Sequence, residues 1–400
     1  MTKTTFLLLT SLTLPGVAVA AGNEGFLYGT VETDNGNVYR GFLRWGTEEA
    51  FWDDHFNSTK DDLEYADHID SDERHRREIN IFGVTIGWHA NSGRGRSLTL
   101  RYGDIREMEP GGGDRARVTL KNGTVLNLDG GSNDLGATIT VLDESLGEVK
   151  LKWRDIDRIA FSAAPAEAEP PATRLYGTLT TFDQTYTGFI QWDLQECLST
   201  DELDGDTDDG EMSIEMGKIA AIEKRSRRGA YVELWDGRRL LLSGTNDVNS
   251  SNDGIFIEDE RFGRVEVGWG DFERLEFERI ESSGRGYDDY APARTLRGTV
   301  IDTSGRRHVG KIVFDLDESE TWEFLDGDLD DIDYHIPFEM VAAIEPRSSD
   351  SSYVVLRNGV EIELEDSQDV SDRNDGVVIV PLEGRETYVA WRKVERIEFD

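Results

Sequence analysis

The sequence predicts an all-β protein made of three tandem repeat units. Three observations predict this class: long strings of alternating apolar and polar residues, an opening phrase that occurs three times, and a spacing of apolar residues that occurs six times. In that spacing, apolar residues occupy offsets 0, 2, 5 and 8, as in Val267, Trp269, Phe272 and Leu275. A step of two followed by two steps of three indicates a strand end, one tight 3₁₀ turn and the start of another strand.

We call the six copies of this spacing the 0/2/5/8 segments. Their β-branched and aromatic content favours strands over a helix, although a helix also tolerates steps of three. Their second residues stand 51 to 69 positions apart, which is the length of one very small barrel. The other five copies are Leu100/Tyr102/Ile105/Met108, Leu151/Trp153/Ile156/Ile159, Ile214/Met216/Ile219/Ile222, Ile336/Phe338/Val341/Ile344 and Val389/Trp391/Val394/Ile397.

Each unit begins with nearly the same amino-acid sequence. The phrases are LYGTVETDNGNVYRGFLRW from Leu27, LYGTLTTFDQTYTGFIQWD from Leu175 and LRGTVIDTSGRRHVGKIVFD from Leu296. Two alternating runs joined by a Gly, Asn, Asp or Ser turn predict a hairpin. A second hairpin with Asn-Gly or Asp-Gly at its turn follows in each unit, and after it comes a polar loop with Asn133-Asp134, Asn246-Asp247 or Gln368-Asp369.

Changes in amino-acid composition indicate where the three units begin and end. Residues 1–20 are predicted to be a signal peptide, with units at 27–161, 175–277 and 296–399. Residues 162–174 are rich in Pro and Ala and predict an extended linker, and 278–295 form a second linker. Unit 1 carries an insertion near 81–96 that we expect to form an extra hairpin reaching outward, and such insertions often carry specific function.

Five short strands with a 3₁₀ turn between the last two resemble the SH3-like small-barrel class, which includes Sm-like and PRC-type barrels. The resemblance implies two small barrels of about 50 to 60 residues per unit. One larger barrel or sandwich per unit is the alternative. The resemblance concerns architecture only, since small barrels serve many unrelated functions.

The first twenty residues predict export. Lys3 precedes an apolar run, and Ala18 and Ala20 flank Val19 as an A-x-A cleavage site, so we expect cleavage near Ala20 and a periplasmic or secreted protein. No later stretch approaches about 18 uninterrupted apolar residues, so no membrane span is expected in the mature chain. Cys197 is the only cysteine, which excludes an intramolecular disulfide, and we expect it to be buried and inert.

The chain is strongly acidic, with 81 Asp and Glu residues against 43 Lys and Arg residues. Nucleic acid is therefore not an expected partner, because phosphates need a basic surface. The acidity suits a solvated exported protein, or loops that hold divalent cations or meet a basic partner.

Two acidic loops are candidates for a metal site. Alternating carboxylates can converge on a hard cation, so calcium is the one cofactor that the sequence suggests. Neither loop is an EF-hand, because the required glycine and the terminal glutamate are absent, and a solvated acidic turn is the alternative. The candidate ligands are Asp204, Asp206 and Asp208 in unit 2 and Asp326, Asp328 and Asp330 in unit 3.

No catalytic motif is present, so the sequence favours a protein that is not an enzyme. His55, His68, His75 and His89 lie in unit 1, but their spacing matches no zinc arrangement, and exposed loop histidines are the simpler expectation. Pairs of carboxylates carry no information in a chain with this many of them.

Tryptophans provide the candidate binding residues. Five recur at repeat positions and are expected in the cores: Trp45, Trp153, Trp192, Trp269 and Trp391. Four do not recur and, with His89, are the candidates for contact with a partner: Trp52, Trp88, Trp235 and Trp322. Trp235 follows a strand beside an Asp-Gly turn and is expected to be exposed, as aromatic residues at interfaces often are.

The sequence therefore favours an exported, non-enzymatic scaffold or binding protein that presents its repeated units to a protein or another cell-envelope component. Repetition supports this hypothesis, because similar units suit multivalent contact. The alternative is an envelope carbohydrate-binding protein or hydrolase with a site at the unit-1 insertion, built around Trp52, Trp88 and His89.

Overall fold

A computed structural model of the protein describes residues 22–60, 65, 78–81, 84–87, 96–130 and 134–400. The all-β prediction is confirmed: within these residues the regular structure consists of strands and of 3₁₀ turns three residues long. The described part of the chain contains no helix long and apolar enough to span a membrane.

Strands are numbered in chain order, and each range is as observed. Unit 1 contains β1 (Tyr28–Thr33), β2 (Val38–Trp45), β3 (His55–Lys60), β4 (Glu78–Ile81), β5 (Val84–Gly87), β6 (Arg96–Arg101), β7 (Ile105–Pro110), β8 (Arg115–Leu120), β9 (Val125–Asp129), β10 (Thr138–Asp143), β11 (Gly147–Lys152) and β12 (Ile156–Phe161).

Unit 2 contains β13 (Tyr176–Thr181), β14 (Thr185–Trp192), β15 (Glu202–Thr207), β16 (Gly210–Glu215), β17 (Ile219–Ser226), β18 (Gly229–Leu234), β19 (Arg239–Ser243), β20 (Ile255–Asp259), β21 (Gly263–Val267) and β22 (Phe272–Phe277). Unit 3 contains β23 (Arg297–Asp302), β24 (Arg307–Phe314), β25 (Phe324–Leu329), β26 (Ile332–Pro337), β27 (Val341–Pro346), β28 (Ser351–Leu356), β29 (Glu361–Glu365), β30 (Val377–Val380), β31 (Thr387–Val389) and β32 (Val394–Phe399).

The same antiparallel strand order occurs in all three units. In unit 1 the order is β11-β10-β2-β1-β12-β7-β8-β9-β3-β6. In unit 2 it is β21-β20-β14-β13-β22-β17-β18-β19-β15-β16. In unit 3 it is β31-β30-β24-β23-β32-β27-β28-β29-β25-β26. Pairing of β21 with β26 joins units 2 and 3 into one twenty-stranded sheet.

Each unit consists of two interleaved halves. In unit 2, β13, β14, β20, β21 and β22 form one half, and β15 to β19 are inserted between β14 and β20 as the other. Each half is a five-stranded sheet whose two outer strands follow one another in the chain, so the half must curl to let a short turn join them. The outer strands are not hydrogen-bonded to each other, so no closed barrel forms among the described strands. The strand pairings therefore confirm two five-stranded β halves in each unit, but they do not confirm SH3-like barrels of about 50 to 60 residues, and one half is inserted into the other.

The 0/2/5/8 segments lie at the turns between these outer strands. Five of the six contain the predicted 3₁₀ turn: Tyr102–Asp104, Trp153–Asp155, Met216–Lys218, Phe338–Met340 and Trp391–Lys393. The segment that begins at Val267 instead has a turn in which the Gly268 carbonyl accepts hydrogen bonds from both the Asp271 and the Phe272 amides at 3.1 Å, so the turn is wider than the five 3₁₀ turns. Two further 3₁₀ turns are Asn246–Val248 and Tyr287–Asp289.

A pair of facing glycines allows the first hairpin of each unit to pack closely on its neighbours. Gly177 on β13 lies directly opposite Gly188 on β14. A Cβ atom on Gly188 would lie 1.9 Å from the Glu258 carbonyl oxygen of β20. Since any side chain would displace the neighbouring strand, the glycines in the repeated opening phrases have a structural cause.

Each core is shared by both halves of a unit, because aromatic rings pack across them. Trp45 of β2 contacts Tyr102 at 5.3 Å between ring centroids, and Phe314 of β24 contacts Phe338 at 5.3 Å. All five tryptophans predicted to be in the cores are buried, which confirms that prediction. Buried apolar residues of units 2 and 3 form one continuous cluster, and those of unit 1 form a second.

Both segments between the units pack on unit 1. The Asn23 side chain donates to the carbonyls of Pro165 at 2.8 Å and Ala168 at 2.7 Å. Tyr287 and Tyr290, from the segment after unit 2, are buried in the unit-1 core. The predicted Pro/Ala-rich linker at 162–174 therefore has backbone carbonyls that accept hydrogen bonds from the segment before unit 1. In the insertion, β4 and β5 pair as a separate two-stranded sheet that begins at Glu78, three residues before the predicted start.

Candidate functional site

The junction between units 1 and 2 is built around a buried arginine. The Arg174 guanidinium lies 4.0 Å from the ring centroids of both Phe51 and Phe189, which belong to different units. It pairs with the Asp53 carboxylate at 2.7 Å and donates to the Ser283 carbonyl at 3.1 Å. One side chain thus connects unit 1, unit 2 and the segment that follows unit 2.

A second buried arginine lies beside it. Arg264 on β21 pairs with Glu258 of the adjacent strand and reaches across to the Asp54 carboxylate of unit 1 at 3.5 Å. A cavity of about 10 Å³ lies between these groups and Cys197, which is room for a single water molecule. Cys197 is buried, as predicted, and burial raises the pKa of its thiol well above the ordinary range. The junction contains packed ion pairs and no space for a substrate.

Unit 3 is attached to unit 1 in a similar way. Arg101 donates to Asp104 at 2.8 Å and to Glu339 of unit 3 at 2.7 Å. Burial alone would raise the pKa of Glu339, but Arg101 and Arg285 outweigh it and lower the pKa. His55 lies 4.5 Å from the Phe324 ring and is buried, so the expectation of an exposed loop histidine is wrong at this position.

Three buried or half-buried carboxylates lie near one another in each unit, where the loop after the second strand meets the polar loop or 3₁₀ turn before β10, β20 or β30. We call each group a carboxylate corner. Their members are Glu48, Glu49 and Asp134 in unit 1, Asp193, Glu196 and Asp247 in unit 2, and Asp315, Glu318 and Asp369 in unit 3. In units 1 and 3, one carboxylate oxygen of each member lies within 4.8 Å of those of the other two.

Part of each corner holds the backbone together. Asp247 accepts a hydrogen bond from the Asp204 amide at 2.6 Å, and its carbonyl accepts the Trp192 indole N–H at 3.0 Å. Asp369 accepts the Asp326 amide in the equivalent way at 2.8 Å. Asp247 and Asp369 therefore hold the start of β15 and β25 with one carboxylate oxygen each. The second oxygen of each carboxylate takes no part in this hydrogen bond.

Burial raises the pKa values of several carboxyl groups in the corners. Burial and then the neighbouring Asp247 and Asp193 raise the pKa of Glu196 to about 9, and burial raises that of Asp193 to about 7. Burial, followed by repulsion from neighbouring carboxylates, also raises the pKa values of Glu49 and Asp369 well above the ordinary range. These carboxyl groups favour either a bound proton or another positive charge.

This charge arrangement predicts that the protein becomes more stable as the pH falls from 8.5 to 6. A carboxyl whose pKa is higher in the folded than in the unfolded protein binds more protons when folded, so its contribution to stability is complete at low pH. That contribution is lost as the pH rises through about 7 for Asp193 and about 9 for Glu196. After allowance for solvent screening, we expect a gain of about 1–2 kcal/mol at pH 6 in denaturant titrations.

The variant Glu196→Gln provides the control, because it removes the group with the higher of these two pKa values and preserves its shape. The dependence of the free energy of unfolding on pH should be shallower in this variant. An equal slope in both proteins would assign the pH dependence to other groups.

The predicted metal residues do not form a comparable group. Asp204 and Asp206 lie on β15 and Asp326 and Asp328 on β25, so they extend along strands and do not wrap around a common point. Within the described residues, none of the six predicted ligands belongs to a group of three carboxylates whose oxygen atoms lie within 4.8 Å of one another. In unit 2, Asp208 follows β15 in the hairpin turn, and in unit 3, Asp330 adopts a positive φ of 54° in the equivalent turn. Asp326 instead pairs with His335 at 2.8 Å.

Three of the predicted binding residues lie within the described part of the chain. Trp52 and Trp322 are buried, and both belong to the apolar cluster of unit 1. Trp235 is 44% exposed, as expected from its position. Trp88 and His89 lie outside the described residues.

Trp235 belongs to a surface that the sequence analysis did not identify. On the outer face of β18 and β19, Tyr231 pairs directly with Leu241, and the Arg239 guanidinium lies 4.0 Å from the Tyr231 ring. The Arg279 guanidinium lies 4.7 Å from the Trp235 ring. We call this surface, with the exposed hairpin arginines Arg225, Arg227 and Arg228, the Trp235 face.

The charge of the Trp235 face is opposite to that of the whole chain. Residues 217–241 contain seven basic and three acidic residues. Within the described part of the chain, Arg225, Arg227, Arg228 and Arg279 form no ion pair with a carboxylate. The basic run from Lys224 to Arg228 was the sequence signal that could have identified this surface. It was missed because the net charge of the whole chain, −38, describes no local region.

Comparison with known proteins adds no identification. No protein-family model, no curated protein and no solved structure matches the chain. The evidence for function therefore rests on the arrangement of its own residues.

Proposed function

We propose that the protein is an exported, non-enzymatic binding scaffold that holds an anionic protein partner at the Trp235 face. The observation that carries this proposal is the position of the exposed Trp235 ring and the half-buried Tyr231 ring beside arginines that form no ion pair among the described residues, on an otherwise acidic protein. These arginines are Arg225, Arg227, Arg228 and Arg279, whereas Arg239 pairs with Glu223 and Glu233. Tryptophan, tyrosine and arginine are the residues that contribute most to protein interfaces. Export remains a proposal from the predicted signal peptide at 1–20.

Electrostatics supports an anionic partner. Arg227 and Arg228 are exposed at the tip of the β17–β18 hairpin, whereas most of the surrounding surface charge is negative. A locally positive surface steers an acidic segment to one place and repels basic competitors, and the attraction weakens with salt. The rings of Tyr231 and Trp235 supply apolar contact area beside that charge.

The joining of the three units supports a scaffold role. Arg174 and Arg101 are buried between units, and β21 and β26 continue one sheet from unit 2 into unit 3. Such connections limit motion between the units, so a bound partner would be held at a defined position relative to units 1 and 3. A preorganised surface also reduces the entropy lost on binding.

The experiment compares capture of partners from an envelope extract by the wild type, by Trp235→Ala and by Arg227→Glu/Arg228→Glu. A matched control is Arg306→Glu/Arg307→Glu, which makes the same charge change at two consecutive exposed arginines of unit 3. We expect one acidic protein to be retained by the wild type and the control, with at least about tenfold weaker binding to both face variants. Recovery in equal amounts by all four proteins would contradict the proposal.

Salt and a defined probe separate the remaining outcomes. Binding to poly-L-glutamate should be lost in the double arginine variant and should fall between 50 and 300 mM NaCl. Neutral glycans that bind in a salt-independent way and are lost only in Trp235→Ala would favour the carbohydrate-binding alternative instead.

A further inference from the structure

We propose that each carboxylate corner binds one divalent cation of the calcium type. This inference is independent of the proposed function. The ion would join the loop after the second strand to the polar loop or 3₁₀ turn that precedes β10, β20 or β30, as between Glu196 and Asp247 in unit 2.

Convergence is the first argument. Oxygen atoms of Asp315, Glu318 and Asp369 lie mutually within 4.8 Å, and the same holds for Glu48, Glu49 and Asp134. Carboxylates that share a hard cation at 2.3–2.6 Å each lie at such separations, whereas carboxylates without an ion repel one another. Asp315 is 1% and Asp369 is 8% exposed, so water screens this repulsion poorly.

The second argument is a buried carboxylate that lacks a partner. Glu49 is only 8% exposed, and among the described residues no side chain or backbone amide outside its own residue donates to its carboxylate and no cation pairs with it. In unit 2, the Glu196 Oε2 atom is fully buried and has no hydrogen-bond partner. An ionised carboxylate in that state costs several kcal/mol unless a positive charge compensates it.

All three carboxylate corners contain three carboxylates, although one of the three comes from a different loop position in unit 1 than in units 2 and 3. Unit 1 has Gly46 where units 2 and 3 have Asp193 and Asp315. In unit 1, Glu48 of the same loop supplies the third carboxylate. Asp193 and Asp315 also accept hydrogen bonds within their units, from Asn246 and the Asp253 amide and from Gln368 and the Asp375 amide. Each unit nevertheless keeps three carboxylates, which is the property that a cation with anionic ligands requires.

The ligand chemistry selects the class of ion. All three ligands are carboxylate oxygens, which suits Ca²⁺ and excludes a preference for softer ions that take nitrogen or sulfur. Three protein ligands are fewer than the six to eight that Ca²⁺ takes, so we expect dissociation constants of about 10⁻⁴–10⁻³ M, as in extracellular modules.

The test is a titration of the full-length chain with calcium at pH 8 and constant ionic strength. Calorimetry measures the number of ions bound, and thermal unfolding measures the change in melting temperature. The variants are Glu49→Gln, Glu196→Gln, Glu318→Gln and their triple combination. The matched control is Asp206→Asn/Asp208→Asn, which removes the same kind of charge from the acidic hairpin singled out by its sequence.

We expect the wild type and the control to bind one Ca²⁺ per unit and to melt at a higher temperature with millimolar calcium. Each single variant should lose one ion, and the triple variant should lose the whole response. The triple variant without calcium should also be more stable than the wild type without calcium, because its repulsion is relieved, so loss of binding cannot be mistaken for unfolding.

Two results would overturn the proposal. The first is a response to calcium that sodium reproduces at matched ionic strength, or that the triple variant retains. The second is loss of calcium binding in the Asp206→Asn/Asp208→Asn control alone, which would show that calcium binds at the β15–β16 hairpin and not at the carboxylate corners.

Discussion

Replacing Arg174 with alanine is expected to lower the free energy of unfolding by about 3–5 kcal/mol, the usual cost of removing one partner from a buried ion pair. The Asp53 carboxylate would lose the guanidinium that lies 2.7 Å away, and Phe51 and Phe189 would lose the planar group packed between them. Since this side chain connects units 1 and 2, calorimetry should also resolve separate melting of unit 1.

Two further variants test the cause. Arg174→Lys keeps the charge but cannot reproduce the flat, two-pronged contact, so it should recover only part of the loss. Arg238→Ala removes an exposed arginine that pairs with Asp236 and should leave stability unchanged within error. Similar melting curves for Arg174→Ala and Arg238→Ala would show that the junction does not depend on the buried pair.

Replacing Trp192 with alanine is expected to destabilise the protein by about 3–5 kcal/mol, as deletion of a buried large aromatic usually does. The ring is fully buried, packs on Phe272 at 5.3 Å and on Trp269 at 6.2 Å, and donates its N–H to the Asp247 carbonyl. Loss of the ring would leave a cavity in the core of unit 2 and would remove the hydrogen bond to the Asp247 carbonyl of the carboxylate corner.

Trp235→Ala is the matched control, because it removes the same side chain from the same unit at an exposed position. Its effect on the denaturation midpoint should be small, since surface substitutions usually stay within about 0.5 kcal/mol. If both substitutions lowered stability equally, the shared core of unit 2 would not be the main source of its stability.

Local elements could be predicted because their causes are local. Alternation of apolar residues identified the strands, and the 0/2/5/8 spacing identified five 3₁₀ turns, since side-chain direction follows from neighbouring backbone geometry. The exception at Val267 has glycines on both sides of Trp269, and the turn there is wider. The order of the strands in the sheets could not be predicted. The 0/2/5/8 spacing is the same whether one half follows the other along the chain or is inserted into it, as β15 to β19 are inserted between β14 and β20.

The candidate sites were harder to predict, because their members are distant in sequence. Asp204 and Asp206 looked convergent, but residues two apart on a strand stand about 7 Å apart along one face. Glu196 and Asp247 are 51 residues apart and meet only through the fold. The recurring aspartates Asp134, Asp247 and Asp369 were visible in the polar loops, but nothing local indicated that glutamates from another loop lie beside them.

The sequence by itself determined the all-β class, the position of most turns and the tryptophans of the cores, because each depends on short-range periodicity and on the burial of apolar area. Only the tertiary structure decided which charges are compensated. Arg174 and Arg101 meet carboxylates of other units, whereas Glu49 and Glu196 meet mainly other carboxylates. The physical reason is that the energy of a charge depends on its burial and on its neighbours in space, and both arise only when distant segments pack.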